Sequence, residues 1–222
     1  MGLYADHIFP RFLDRALGAM GDVRRPALSR ARGDVLEIGF GTGLNLVHYP
    51  PAVRSLVGLD PMTGLRTRVE ARIAVAPFPV KRVALRADGS LPFEDASFDC
   101  VVTTWTLCSI PDTAVALREM RRVLRPGGEY LFLEHGRSDD PRVARWQRRL
   151  TPIQRWIAGG CRLDVPVADV IRRSGFEVPE LKRFVLPKQP RVGAEMYQGV
   201  ARPVTPSSEA GAPGAAASLR WP

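Results

Sequence analysis

Apolar positions along the chain recur in two periods. Ile8, Phe9, Phe12, Leu13, Ala16, Leu17 and Met20 fall three and four residues apart, with Arg11, Asp14 and Arg15 between them. That spacing predicts one amphipathic helix at the N-terminus. Short apolar runs then follow at Asp34–Ile38, Ser55–Leu59, Val80–Leu85, Asp99–Thr103 and Tyr130–Glu134, which read as strands. Helices are expected from Leu44, around Arg66, Arg68, Glu70 and Arg72, and from an Asp112 cap to about Leu124, where Arg125-Pro126-Gly127-Gly128 stops it. Strands alternating with helices predict an α/β domain with a mostly parallel sheet covered on both faces. Beyond Gly136 the pattern changes to helices over Val143–Ile157, with Trp146, Leu150, Ile153 and Ile157 on one side, and over Val165–Ser174, closed by Gly175. Two last strands, from Phe176 and over Ala194–Ala201, read as an antiparallel pair at the sheet edge. The expected organisation is a helical cap over 1–33, the main domain over 34–202 with a helical insertion at about 140–174, and a tail over 203–222. That tail is rich in Pro, Ser, Ala and Gly and is expected to be disordered, since it buries too little to offset its ordering entropy.

Composition narrows the class. The 222 residues are 45% hydrophobic and 25% charged, the balance of a soluble globular protein. No apolar run reaches the ~18 residues of a membrane-spanning helix. The start, Met1-Gly2-Leu3-Tyr4-Ala5-Asp6, lacks the pattern of a signal peptide or a myristoylation site. Cys100, Cys108 and Cys161 are too few and too scattered for a disulfide framework or a zinc site, so no metal is expected and the cytoplasm is the expected location. The net charge is +9, carried almost wholly by Arg, with Lys only at 81, 182 and 188. The arginines are dispersed, so no stable nucleic-acid partner is expected; a basic face toward an anionic lipid surface or an acidic small molecule fits better.

The chemistry-bearing residues lie at strand ends. Glu37 precedes Gly39-x-Gly41-x-Gly43, a loop whose backbone N–H groups can meet a ligand closely. A dinucleotide fingerprint would put its third glycine at position 44, which is Leu44. Asp60 closes the second strand, where a carboxylate can accept ribose hydroxyls. Asp88, beside Gly89, closes the third and suits an adenine amino group. Each aspartate alone also serves as a turn or cap residue; together with the loop they converge on one crevice. A nicotinamide-dependent oxidoreductase remains an alternative, with Leu44 and the lack of a Tyr-x-x-x-Lys pair against it. An RNA methyltransferase is a further one, permitted by the arginine content.

Val35-Leu36-Glu37-Ile38-Gly39-Phe40-Gly41-Thr42-Gly43, Gly58-Leu59-Asp60, Ala87-Asp88-Gly89, Leu91-Pro92-Phe93 with Phe98-Asp99, and Leu124-Arg125-Pro126-Gly127-Gly128 occur in order and spacing. In these the chain resembles class I S-adenosylmethionine-dependent methyltransferases from about Asp34 to His135. The resemblance implies a doubly wound, Rossmann-like sheet of seven strands with the last antiparallel, and S-adenosylmethionine as cofactor. It implies that Glu37, Gly39, Phe40, Gly41, Thr42 and Gly43 hold the methionine part, Asp60 and Pro61 the ribose, and Asp88 and Gly89 the adenine, with Thr104 completing the set. Thr106-Leu107-Cys108-Ser109-Ile110, Phe132-Leu133-Glu134-His135, Trp146-Gln147 and Gly160-Cys161 are similar to a subgroup that includes alkyl-thiol methyltransferases. Those enzymes carry an N-terminal membrane anchor, which is not read in this chain.

Transfer from a sulfonium needs mainly alignment and an apolar, water-poor pocket. Thr104, Trp105 and Leu107 stand where that pocket is expected, and Trp105 could turn a ring face to the sulfonium. A thiol acceptor needs no general base, since thiolates form near neutral pH; for an oxygen or amine acceptor, His135 is the best-placed base. Tyr4, His7 and Phe12 are further candidates on the leading helix, and Cys108 and Cys161 are expected as buried hydrophobes. The Thr103-Thr104-Trp105-Thr106 stretch lacks the Asn/Asp-Pro-Pro-Tyr/Phe cluster of adenine and glutamine methyltransferases. The expected activity is methyl transfer to a small-molecule or lipid-like acceptor: a thiol, quinone precursor, phenol or amine.

Overall fold

The computed structural model describes residues 9–18, 20–62 and 64–204. The expected tail from Thr205 onward, Tyr4, His7 and the Phe12 side chain lie outside the described residues. Two helices lead, α1 (Phe9–Gly18) and α2 (Gly21–Leu28). Seven strands follow: β1 (Gly33–Ile38), β2 (Val53–Leu59), β3 (Val80–Val83), β4 (Phe98–Thr104), β5 (Leu124–His135), β6 (Phe176–Val185) and β7 (Glu195–Pro203). Helix α3 (Arg66–Ala74) joins β2 to β3, α4 (Thr113–Val123) joins β4 to β5, and α5 (Pro141–Ile157) and α6 (Val167–Arg173) join β5 to β6. A single turn, α7 (Arg191–Ala194), leads into β7.

The strands form one sheet in the order β3-β2-β1-β4-β5-β7-β6. The first five are parallel, and β7 runs antiparallel to both β5 and β6. This is the expected doubly wound sheet with its antiparallel pair at the edge. Chain order reverses between β1 and β4, and ligands bind at such a switch point, outside the carboxyl ends of the strands. β1 is buried along Val35–Ile38, and its flanks split the core in two. One half gathers Ile38, Val101, Leu117, Met120, Tyr130 and Phe132; the other gathers Val35, Phe40, Leu56, Cys100 and Val102, and a smaller third cluster joins Ala27 of α2 to Leu133, Leu186, Ala194 and Met196.

Local signals explain most boundaries. The Asp112 side chain accepts the Val115 N–H at 3.0 Å, and Ala116, Leu117, Met120 and Val123 bury one face of α4. Asp140 caps α5, whose first residue is Pro141. One expectation is corrected. Leu44 does not open a helix: only a short 3-10 turn, Leu46–His48, follows the glycine loop. Pro50 is the reason, since it forces Tyr49 into an extended conformation and leaves no room for a further turn. The helix expected from Ile8 to Met20 is α1, and a second helix that the pattern did not predict, α2, follows it and carries Pro26 inside it.

Candidate functional site

The glycine loop between β1 and β2 is the centre of the site. Gly39, Gly41 and Gly43 all have positive φ. At Gly39, with φ of 79°, an added Cβ would run into the Thr106 side chain, so this position admits no larger residue. The loop, α1 and α2 border a cleft lined by Asp14, Leu17, Arg24, Glu37, Asn45 and Thr104 among others. Gly39, Phe40, Gly41 and Thr42 also border it, although the Phe40 ring itself turns into the core against Gly58.

Glu37 is 1% exposed and uses both oxygens. Asn45 Nδ2 donates to one at 2.9 Å and the Tyr49 hydroxyl to the other at 2.8 Å. Burial nevertheless pushes this carboxyl up to about 7, against those two hydrogen bonds and the charge of Arg24. Arg24 comes from α2 and is 3% exposed. Its Nη1 donates to Asn45 Oδ1 at 2.5 Å and to Thr104 Oγ1 at 3.3 Å. Its Nε is buried without a partner. Burial lowers its guanidinium to about 10, with Glu37 acting in the opposite sense. A buried cation and a buried carboxylate thus share one wall of the cleft through Asn45.

The N-terminal helix is tied onto the loop. Asp14 of α1 accepts from Arg72 at 2.6 Å, from Arg68 at 2.5 Å and from the Thr42 hydroxyl. Burial works to raise this carboxyl, but the hydrogen bonds from Arg72, Thr42 and Arg68 hold it at about 2. Asp60 sits at the end of β2, where its oxygens accept the N–H groups of Gly41 and Met62, each at 2.7 Å. It therefore sets the loop's position, and burial raises its carboxyl above the ordinary range. Asp88 is paired in two places with Arg86, at 3.0 and 2.8 Å, which lowers its carboxyl. Pro61 and Gly89 are exposed, and Asp60, Pro61, Asp88 and Gly89 do not line the cleft.

Trp105 adopts a left-handed backbone, φ 51°, where a non-glycine residue is strained by about 1–3 kcal/mol. One face of its ring is stacked on the Arg24 guanidinium, 4.7 Å away, so it backs Arg24 instead of lining the cleft. His135 ends β5, one strand further along. Its Nε2 lies 3.2 Å from Cys161 Sγ, and its Nδ1 is buried without a partner. Burial opposes its charged form, yet Cys161 and Glu134 together raise it above the usual imidazole value. The ligand atoms of Cys108, His135 and Cys161 all fall within 4.8 Å of one another. The cysteines expected as scattered core hydrophobes are therefore brought together, because β4 and β5 are neighbours and the segment after α5 folds back over their ends.

Arg24 escaped sequence reasoning. Met20, Ala27 and Leu28 stand four, three and four residues from it, but Arg25 and Pro26 beside it make the stretch read as a solvated turn.

Residues 36–132 match the methyltransferase domain family. Human thiol S-methyltransferase TMT1A is 32% identical over 156 residues, which cover 69% of this chain and 64% of that protein. Human TMT1B is 36% identical over 170 residues, and the chain spans 66% of its length. Phosphatidylethanolamine N-methyltransferase of Cereibacter sphaeroides is 30% identical over 159 residues, covering 71% of this chain and 77% of that protein. Among solved structures, a Burkholderia thailandensis 1,6-didemethyltoxoflavin-N1-methyltransferase with bound S-adenosylhomocysteine shares the fold, with a TM-score of 0.62 at 19% identity over 86% of this chain and 82% of that one.

Proposed function

Because the chain belongs to the S-adenosylmethionine-dependent methyltransferase family, we propose that it methylates a small, lipid-like acceptor, with an alkyl thiol as the first candidate. The observation that carries the donor side is the pair of opposite buried charges, Arg24 and Glu37, on one wall of the glycine-loop cleft. The methionine end of the donor carries a carboxylate and an ammonium, which are the counterparts of that pair. The orphaned Arg24 Nε is a donor awaiting an acceptor, and an Arg fork suits a carboxylate. S-adenosylmethionine, when bound, supplies a methyl group already activated on a sulfonium.

The chain's own residues hold and orient. Arg24 binds the carboxylate and Glu37 the ammonium, while Gly39, Gly41 and Gly43 let the backbone approach. Asp60 has lone pairs beyond those given to Gly41 and Met62, and these suit ribose hydroxyls. Asp88 would accept from the adenine amino group while sharing its pairing with Arg86. Such positioning contributes ~7–11 kcal/mol to a displacement of this kind. His135 would serve as base for an oxygen or nitrogen acceptor provided that no metal occupies its ring nitrogen.

The thiol reading draws on the names of the relatives, and the lipid-like character on α5. Trp146, Ile153 and Trp156 are 54, 57 and 86% exposed along one stripe of α5, among Arg142, Arg145, Arg148, Arg149 and Arg155. An apolar stripe edged by arginines suits the surface of an anionic membrane. No helix among the described residues is long and apolar enough to cross one. Free Cys100, Cys108 and Cys161 suit a reducing compartment such as the cytoplasm.

The test is transfer of labelled methyl from S-adenosylmethionine to a panel of an alkyl thiol, phosphatidylethanolamine vesicles and a quinone precursor. Label on the thiol supports the reading. Label on the phospholipid or the quinone precursor alone overturns the thiol assignment, and no transfer to any acceptor by folded, cofactor-binding protein overturns the activity.

A further inference from the structure

Cys108 lies in a 3-10 turn after β4 (Leu107–Ser109), His135 ends β5, and Cys161 follows α5. Among the described residues they are the one set of three or more His, Cys, Asp and Glu side chains whose ligand atoms converge. Two sulfurs and an imidazole nitrogen are a soft donor set of the kind that selects zinc. At ordinary Zn–N and Zn–S lengths, a tetrahedral nitrogen and sulfur sit ~3.6 Å apart. The observed separations, 3.2 Å for His135 Nε2 to Cys161 Sγ and no more than 4.8 Å for any pair, bracket that value. The Ser109 hydroxyl lies 3.5 Å from Cys108 Sγ and the Gln154 amide 3.9 Å from Cys161 Sγ, so each sulfur has a polar neighbour able to support a thiolate. Cys108 and His135 are buried while Cys161 is part-exposed, which leaves one approach from solvent.

We propose that Cys108, His135 and Cys161 form a three-ligand zinc site whose fourth position takes the sulfur of an exogenous thiol. Three protein ligands with an open position are the arrangement of catalytic zinc, whereas structural zinc sites are closed by four. The entering thiol loses its S–H proton to solvent as the Zn–S bond forms, and a metal-bound thiol is held as thiolate. A free alkyl thiol is only a few per cent thiolate at neutral pH, so the site would raise the nucleophilic form where the strand ends meet. The open position rests on the thiol reading given above; the metal site does not.

Untagged chain purified in the presence of zinc, then dialysed, is expected to carry about one zinc by elemental analysis. Cys108→Ser and Cys161→Ser are expected to weaken zinc binding by at least ~100-fold, while Cys100→Ala, in the core, leaves it unchanged. Should the serine variants fail to fold, cobalt substituted into the parent chain is expected to show thiolate-to-cobalt charge transfer and the visible bands of a tetrahedral ion. Added alkyl thiol should shift those bands without any cofactor present. Metal-free parent chain, or a Cys108–Cys161 disulfide in its place, overturns the proposal. So does a cobalt spectrum that added thiol leaves unmoved. S-adenosylhomocysteine binding and labelled transfer to thiol in a chain that takes no zinc would sink this inference and leave the proposed function standing.

Discussion

At the glycine-loop cleft, both oxygens of Glu37, of Asp60 and of Asp14 accept hydrogen bonds from the protein itself. One or two strands along, at the ends of β4 and β5, His135 Nδ1 and Glu134 Oε1 are buried without partners, and two thiols face one imidazole. Burial alone pushes Glu134 up to about 7, although the Thr106 and Leu107 N–H groups point at its other oxygen. In the first region the carboxylates are held before any ligand arrives and Arg24 Nε is the buried atom left for one, so little of its binding free energy goes into reorganisation. The second is left polar and incomplete, and a buried polar atom without a partner costs ~1–3 kcal/mol until something satisfies it. On the proposed reading, the first region serves the donor and the second the acceptor.

The sharpest way to break the donor half is Gly39→Ala. Its Cβ meets Thr106 and its backbone stays at positive φ, so S-adenosylhomocysteine affinity should fall by at least ~100-fold, about 2.7 kcal/mol. Gly89→Ala is the counterpart, since nothing lies within 4 Å of its Cβ, and calorimetry should find it within ~2-fold of the parent. Asp60→Ala removes two charge-assisted bonds to the loop; an affinity loss of ~30-fold is expected, corresponding to ~2 kcal/mol.

Protonation gives the next effect. With Glu37 near 7 in the free protein, an ammonium partner binds the ionised form, so affinity should rise with pH by ~10-fold between pH 6 and 8 and then level. A titration flat over that range, or one unaltered by Glu37→Gln, contradicts the assignment. The same raised carboxyl makes the unliganded fold bind a proton more tightly than the unfolded chain does. Its contribution to stability is therefore full below the ordinary carboxylate range and is lost as pH climbs through about 7. The smallest effect is expected from Trp156→Ala, the most exposed large apolar side chain of α5. Co-sedimentation with anionic vesicles should weaken by a few-fold, and neutral vesicles should bind neither form.

Of the residues lining the glycine-loop cleft, Glu37, Gly39, Phe40, Gly41, Thr42 and Thr104 were legible in the sequence, whereas Asp60 and Asp88 close their strands without lining it. Apolar runs ending in Gly39, Asp60 and Asp88 announce strand ends on one edge, and a parallel sheet brings such ends together. What escaped was tertiary in origin. Arg24 stands beside Arg25 ahead of Pro26, a stretch that reads as a solvated turn, and only docking of α2 against Asn45 and Trp105 makes it a buried charge. The helix expected from Leu44 was stopped by Pro50, a breaker six residues on that leaves room only for the 3-10 turn. Cys108, His135 and Cys161 have no short-spacing motif, because 27 and 26 residues separate them and only sheet order joins their elements.

The most direct test of the donor cleft compares S-adenosylhomocysteine with 5′-methylthioadenosine, which lacks the amino-acid end, by calorimetric titration of the parent chain and of Arg24→Met. If Arg24 and Glu37 hold the methionine end, the parent binds S-adenosylhomocysteine far more tightly than methylthioadenosine. Arg24→Met should then lose ~30-fold or more on the first ligand and nothing on the second. Equal affinity of the parent for both ligands, or an Arg24→Met variant that binds S-adenosylhomocysteine as the parent does, would contradict that assignment.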